Sequence, residues 1–542
     1  MKLPKLRYAD GIGKSTQIQF GGLNHNYGAA DGEIWDMKNM TSDHYPVLAT
    51  RERRHLFMKL NEPGGIYAWD KLCWVDSGRF FYDGEEKGTL SAGKKRFASV
   101  GSKIVIFPDK CYYDIKTDTF GQMEATWEGE HLFFDNGMLY GEKAEANTIY
   151  CEGVNWSDWF RNGDAVTISG CTKHPENNKT AIIRQIDGAK MYFYEFAFAL
   201  DEDKRYQETG AIRVARTVPD LKYICENENR LWGCTDSTIY ASKRDDIFNW
   251  NVYDGLESDA WAVEPAAAGK LTGAVSYKGY AVFSKEERIY KVYGSTASSF
   301  GAVASASLGV ADGSGDSLAI AGETLFYLSE SGIMAYSGGI PQPISQAFGR
   351  EYFRNAAAGS DGLKYYVSMQ DADGVWRLYV FDTQKGLWHI EDETHVTHFA
   401  RCDGQLYMLN EEGEVWVMGK PDHIAEEVEE EPELPWYVEF SDFTGNSPNK
   451  KGVSKLQLRL ELEEDAEAEV QIMLDGDGLW QIVRRIVSEG TKRSYTLPII
   501  PRRCDYFRLR VEGTGGCRIY SMSYEMYAGS DVRSKQGRKV FG

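Results

Sequence analysis

Three kinds of constellation in this sequence have the residue types for chemistry: a glycine-rich run ahead of Lys and Ser, a cluster of imidazoles, and closely spaced carboxylates beside glycine. The run GIGKST, Gly11 to Thr16, has the ingredients of a phosphate cradle, which needs backbone N–H groups from a Gly-x-x-x-x-Gly-Lys-Ser/Thr turn after an apolar strand. The first glycine position is Tyr8 and no apolar strand precedes it, so nucleotide binding is not expected. His389, His395 and His398 fall within ten residues, and three imidazoles suffice for a catalytic zinc. In a strand, however, His395 and His398 have opposite parity and face opposite ways. Asp371-Ala372-Asp373-Gly374 and Asp475-Gly476-Asp477-Gly478 carry the carboxylates of a calcium loop without its later oxygens and closing Glu. Asp-Gly is also the ordinary residue pair of a hairpin turn, the reading preferred here. Cys225 and Cys234 flank one hairpin, and Cys151 and Cys171 share one segment, yet none has the Cys-x-x-Cys spacing of a metal or redox site. No Gly-x-Ser-x-Gly elbow occurs, and a glycosidase carboxylate pair is defined in space rather than in sequence. No catalytic residue, cofactor or metal is therefore expected.

What remains are groups suited to binding. Arg51, Arg53 and Arg54 form one basic spot, Lys450 and Lys451 a second, Arg502 and Arg503 a third, and Arg533, Lys535, Arg538 and Lys539 a fourth. Each is a candidate contact with DNA phosphates or with an acidic patch of a neighbouring subunit. Trp156, Trp159 and Phe160 in NWSDWF are the alternative candidate, a glycan-stacking cluster, unless they pack between two domains.

The chain that must position these groups has 542 residues, with 61 Lys+Arg against 81 Asp+Glu and a net charge of −20. Such a balance excludes a dedicated non-specific DNA coat. Nine scattered cysteines read as buried thiols made in a reducing cytosol. No apolar run has the length of a membrane span and the N-terminus lacks a signal-peptide core, so no membrane insertion is expected. The 55 glycines and 13 % aromatics suit many short strands joined by tight turns.

Period-two alternation recurs in phrases such as GGIYAWDKLCWVDSGRFFYDGE from Gly64, LKYICENENRLWGCTDSTIYASK from Leu221 and HFARCDGQLYMLNEEGEVWVMGK from His398. Roughly seven such units predict an all-β fold with a β-propeller of about six to eight blades. The predicted order is an N-terminal arm leading into the propeller (1–60), first blades (61–126), an inserted small β-barrel around RNGDAVTISGC (127–220) and the remaining blades (221–422). A solvated acidic linker (423–435), a C-terminal β-sandwich (436–527) and a basic tail (528–542) follow. The arm is expected either to lie along a neighbouring subunit or to close the ring by adding a terminal strand to the last blade. The Ser-x-Asp-x-Gly-x-Thr-Trp repeats of sialidase-type propellers are absent, FDTQKGLW at Phe381 to Trp388 being the nearest phrase.

In this order of parts, and in DMKNMTSDHYPVLATRERR (Asp36 to Arg54), KIVIFPDKCYYD (Lys103 to Asp114), NRLWGCTDSTIYASKRDDIFNW (Asn229 to Trp250) and LTGAVSYKGYAVFSKEERIYKVYG (Leu271 to Gly294), the chain resembles the bacteriophage stabilisation or tail-nozzle proteins, propeller-bearing hubs of tailed phages. The resemblance implies a virion structural protein, made in the bacterial cytoplasm, whose copies form a ring, commonly a hexamer. That ring would extend the DNA channel in the neck or tail, hold back packaged double-stranded DNA and join a head-tail adaptor to distal parts. Two alternatives are a glycan- or receptor-binding propeller of a tail tip and a propeller glycoside hydrolase.

Overall fold

The computed structural model describes residues 13–26, 29–137, 146–194, 198–201, 205–419, 429–445, 450–488, 490, 493–499 and 502–528. The basic tail with Arg533, Lys535, Arg538 and Lys539 lies outside them, as do residues 423–428 of the predicted linker. The chain divides into two compact units, one formed by Leu60–Leu318 and the other by Met1–Lys59 with Ala319–Gly542. Both are built from antiparallel strands.

In Leu60–Leu318, four four-stranded sheets each use their strands in chain order, over residues 63–89, 96–122, 223–263 and 273–305. The turns explain the tight spacing. Asp76 pairs with Arg79 and Tyr82 with Glu85, so Ser77-Gly78 and Asp83-Gly84 are two-residue loops in which all four residues have positive φ. Only that backbone twist matches the flanking strands, and Gly at the second position carries no Cβ penalty there. Successive meanders pack face to face. Val75 and Phe80 of the first meet Ile104 and Tyr113 of the second, and Val105 and Phe107 of the second share a core with Leu231 of the third. Trp232 of the third then packs with Phe283 of the fourth. Between the second and third meanders in sequence, strands Ala125–Gly137, Ala146–Tyr150, Ala165–Ser169, Thr180–Asp187, Lys190–Phe193 and Arg205–Arg216 close into a barrel. A core including Leu132, Phe134, Ile168, Ile183 and Val214 fills it. The buried Asp164–Arg216 ion pair lies within the barrel, and the third meander is tied to it by Asn249, whose Nδ2 donates to Asp164 Oδ1 at 3.0 Å.

The other unit contains three further meanders, over 319–343, 354–390 and 396–417. The last has three strands of its own and takes its fourth from His55–Lys59, which pairs antiparallel with Glu414–Val417. One of the two outcomes expected for residues 1–60, a terminal strand added to the last blade-like sheet, is thus present. The other, an arm lying along a neighbour, is corrected for the described residues. Gly13–Gln17, Met40–Thr41 and Leu48–Thr50 join one sheet of the C-terminal sandwich, and Ile34–Lys38 joins the other beside Pro435–Phe440. The reason is apolar burial: Ile34, Met37, Met40 and Leu48 enter one core with Val438, Phe440, Leu456 and Ile519. The sandwich is therefore not confined to 436–527. The same core continues to Phe326, Tyr365 and Trp388 of the meanders. The predicted linker also needs correction, because Glu429–Glu430 pairs with His55–Lys59 as a short strand and Leu434 is buried.

Candidate functional site

The first basic spot is turned inward. Residues 51–54 run without strand pairing into His55–Lys59, and this path carries two guanidiniums below the surface. Arg54 donates to Glu391 and Asp392 at 2.6 Å each. Arg51 grips Glu431 with both terminal nitrogens at 2.8 and 2.9 Å, and its Nε donates to Asn39 at 2.8 Å. The side chains of Arg51 and Arg54 are 6 % and 5 % exposed. Burial alone would lower the basicity of Arg54, but the Asp392 and Glu391 carboxylates outweigh it and hold its pKa above the ordinary arginine value. For Asp392 and Glu431, burial works toward a raised pKa and is overcome by the arginines, leaving both below the usual carboxylate range. Arg51 and Arg54 as DNA or subunit contacts are therefore corrected: buried charges need partners in place, and these partners come from the same chain. Arg53 faces out, 38 % exposed, and meets Glu430 at 3.4 Å.

Lys451 is likewise corrected. Its stem is buried and its Nζ donates to the backbone carbonyl of Asp505, while Lys450 beside it is exposed. Arg502 and Arg503 are exposed. The aromatic cluster is not a sugar platform: Trp156 and Phe160 are buried in the barrel core itself, with Trp156 edge-on to Trp127 at 4.9 Å and its Nε1 donating to Ala189 O at 2.9 Å. Trp159 alone is exposed.

The remaining motifs resolve into structure. The last four residues of GIGKST lie in the sandwich strand Gly13–Gln17. Asp371 Oδ1 accepts the backbone N–H groups of Asp373 and Val375 within its turn, and Asp475 Oδ1 accepts that of Asp505. Trp388 of FDTQKGLW is buried and donates to Ile344 O at 2.8 Å. All nine cysteines are buried and none forms a disulfide. Among the described residues no group of three or more His, Cys, Asp or Glu is placed to hold a metal ion. His389 is buried, whereas His395 stacks on Trp376 at 3.6 Å between ring centroids.

That stack belongs to a feature the motifs did not reveal, an open groove of about 980 Å³ in the unit containing the sandwich. Its walls come from chain turns: 391–395 between the sixth and seventh meanders, 411–413 within the seventh, and 431–435 approaching the sandwich. Seven carboxylates line it against two cations, Lys38 and Arg54, together with Trp376, His395 and Trp416. His395 Nδ1 lies 2.7 Å from Glu411, and Trp416 Nε1 donates to Glu414 at 3.2 Å. Burial raises the Glu414 pKa, but hydrogen bonds from Asn410, Lys59 and Trp416 leave it lowered. Carboxylates beside indole faces suit ammonium or guanidinium groups, which take charge-assisted hydrogen bonds and cation–π contacts together. A second cavity of about 530 Å³ sets Arg51, Arg53 and Arg518 against Glu52, Glu430, Glu461 and Glu463, a nearly balanced wall with no such preference. A sequence signal for the groove did exist, since two acidic turns lie close in sequence, EDE just before the seventh meander and NEEGE within it.

The class defined by these features is an all-β protein of stacked four-stranded meanders, the building plan of β-propellers, with a closed barrel and a sandwich. No family model matches the chain and no curated protein matches it. Similar solved structures include BamB from Moraxella catarrhalis, at 12 % identity over 70 % of this chain and 99 % of that one with a TM-score of 0.34. Apo AztD from Citrobacter koseri is similar at 12 % identity over 83 % and 98 %, TM-score 0.30. Raptor from Chaetomium thermophilum is similar at 10 % identity over 69 % and 30 %, TM-score 0.32.

Proposed function

We propose that this chain is a structural protein of a tailed bacteriophage, a neck or tail component whose copies form a ring, six in number, that extends the DNA channel. In this reading the seven meanders found among the described residues serve as propeller blades. The ring retains packaged double-stranded DNA and joins a head-side adaptor to distal parts. Its work is mechanical, with no reaction catalysed and no cofactor held.

The observation that carries the reading is where the charge goes. In a chain of net charge −20, Arg51, Arg54 and Lys451 are spent on internal partners and are withdrawn from the surface. A duct through which DNA slides must not grip phosphates, and a protein of strongly acidic balance repels them. The test is electron microscopy of intact particles labelled against this protein. Label in a ring on the tail axis, at the neck or below, is the expected result and gives the symmetry directly. Absence from every particle, or label on peripheral fibres alone, overturns the proposal.

A further inference from the structure

We infer that the acidic groove is the receiving site for the basic C-terminal segment of a second copy of this chain, residues 529–542, so that copies join head to tail. The inference rests on the ring-forming role proposed above and names the contact that would build it.

Charge complementarity is the first argument. The groove carries seven carboxylates against two cations, and Glu412 and Glu433 make none of the ion pairs described above. Residues 529–542 hold Arg533, Lys535, Arg538 and Lys539 against one acid, Asp531, and end in Val-Phe-Gly. Guanidinium and ammonium groups on this segment match the carboxylates, and Arg or Phe541 matches the faces of Trp376 and Trp416. DNA fails the same test, because its phosphates meet like charge.

Reach selects a second copy over the chain's own segment. The groove wall at Glu433–Pro435 lies beside Gly515, whose N–H donates to Leu434 O at 3.2 Å. From there the final strand, Cys517–Ala528, runs away for 12 residues, and thirteen residue steps at strand rise cover about 40 Å. Arg533 follows Ala528 by five residues and Lys539 by eleven, which span at most about 18 and 40 Å when fully extended. In its own chain Arg533 falls short of the groove and Lys539 meets it only with the whole segment drawn taut, whereas a neighbour's segment is free of that limit. A site on one copy that takes a different part of the next copy makes a heterologous interface, the kind that closes into a ring when the rotation permits.

The test is titration of a synthetic peptide of residues 529–542 into full-length chain, into a chain ending at Ala528, and into a Glu412→Lys/Glu433→Lys variant, at concentrations where each is monomeric. Binding that is equal for the full-length and shortened chains, falls at least tenfold in the variant and weakens with added salt is the expected result. Binding only to the shortened chain would place the segment in its own groove and overturn the inference. So would no binding, or equal binding to the variant. An unchanged urea midpoint shows that the variant is folded, and Lys450→Glu/Arg502→Glu, charge changes outside the groove, should leave peptide binding unaltered. A failed titration alongside ring label on particles removes this contact alone, whereas binding without label on particles removes the structural role.

Discussion

The two units reach the same local architecture by opposite routes. In Leu60–Leu318 each sheet is made from a run of consecutive residues, and each meander packs on the next. In the other unit the sheets are stitched from both ends of the sequence: Tyr437 donates to Asp36, 401 residues away, at 2.9 Å, and the seventh meander is completed by His55–Lys59. Local contacts close small loops at low entropic cost, whereas a seam of this kind forms only after a very long loop has closed. The difference explains where buried charge sits. Arg51 and Arg54 lie on the N-terminal side of that seam and their carboxylates on the other, so the ion pairs lock register between segments remote in sequence.

The largest effect should come from removing the seam. Deleting residues 13–59 takes strands from three sheets of one unit and none from the other. Hydrogen exchange should show residues 319–528 largely unprotected while Leu60–Leu318 keeps its protected strands. Loss of protection in both would break the comparison, making the second unit dependent on the first. Next in size is Arg54→Met, which strands Glu391 and Asp392 in a site 9 % and 13 % exposed. Removing one partner of a buried pair costs about 3–5 kcal/mol, read as a lowered urea midpoint, with the loss confined to the sandwich-containing unit.

The contrast also separates what was legible in the sequence from what was not. Period-two runs such as KIVIFPDKCYYD and the Asp-Gly turns between them revealed strands because neighbours in sequence are neighbours in the sheet. The barrel was legible for the same reason, its strands lying between 125 and 216. The arginine run 51–54 was not: three cations read as a surface patch until the distant Glu391, Asp392 and Glu431 are brought alongside. Glu431 read as part of a solvated run because six glutamates in nine residues repel one another, and only the fold supplies the counter-charge. Trp156 misled in another way, since NWSDWF looks the same whether its rings face a sugar or a barrel core. The groove was least legible, being assembled from turns of different elements.

Acid should sharpen the comparison by an intermediate amount. His389 is buried in the sandwich-containing unit, and burial first, then the positive charge of Lys364 and Lys385, pushes its pKa down to about 4, with Asp382 and Asp43 opposing. Below its ordinary value of about 6.5 the unfolded chain takes up a proton that the folded chain refuses until about pH 4, so stability falls as pH falls through that window, by about 3 kcal/mol. The lowered carboxylates of Glu431 and Asp392 act in the same direction, from the foot of that window downward, as the unfolded carboxylates protonate. Leu60–Leu318 has only half-buried histidines, His131 and His174. Urea melts between pH 7 and 4.5 should therefore show the sandwich-containing unit losing stability first, and His389→Gln should flatten that slope. An unchanged slope in the variant would assign the acid sensitivity elsewhere.

The smallest effect is the most discriminating, because it compares adjacent residues of one type. Arg53 and Arg54 share a charge and a peptide bond, yet the Arg53–Glu430 contact is 3.4 Å long with side chains 38 % and 50 % exposed, against 2.6 Å and near-complete burial for Arg54. An exposed pair gains little, since water screens it and two long side chains lose freedom to hold it. Arg53→Ala should therefore change stability by no more than about 0.5 kcal/mol, and a double-mutant cycle with Glu430→Gln should give a coupling of the same small size. A cost near that of Arg54→Met would mean that position along the seam, rather than burial of the individual charge, sets the energetics. A null effect at Arg53 beside a large one at Arg54 would show that the seam is held by the two guanidiniums that left water, with the third free to meet solvent.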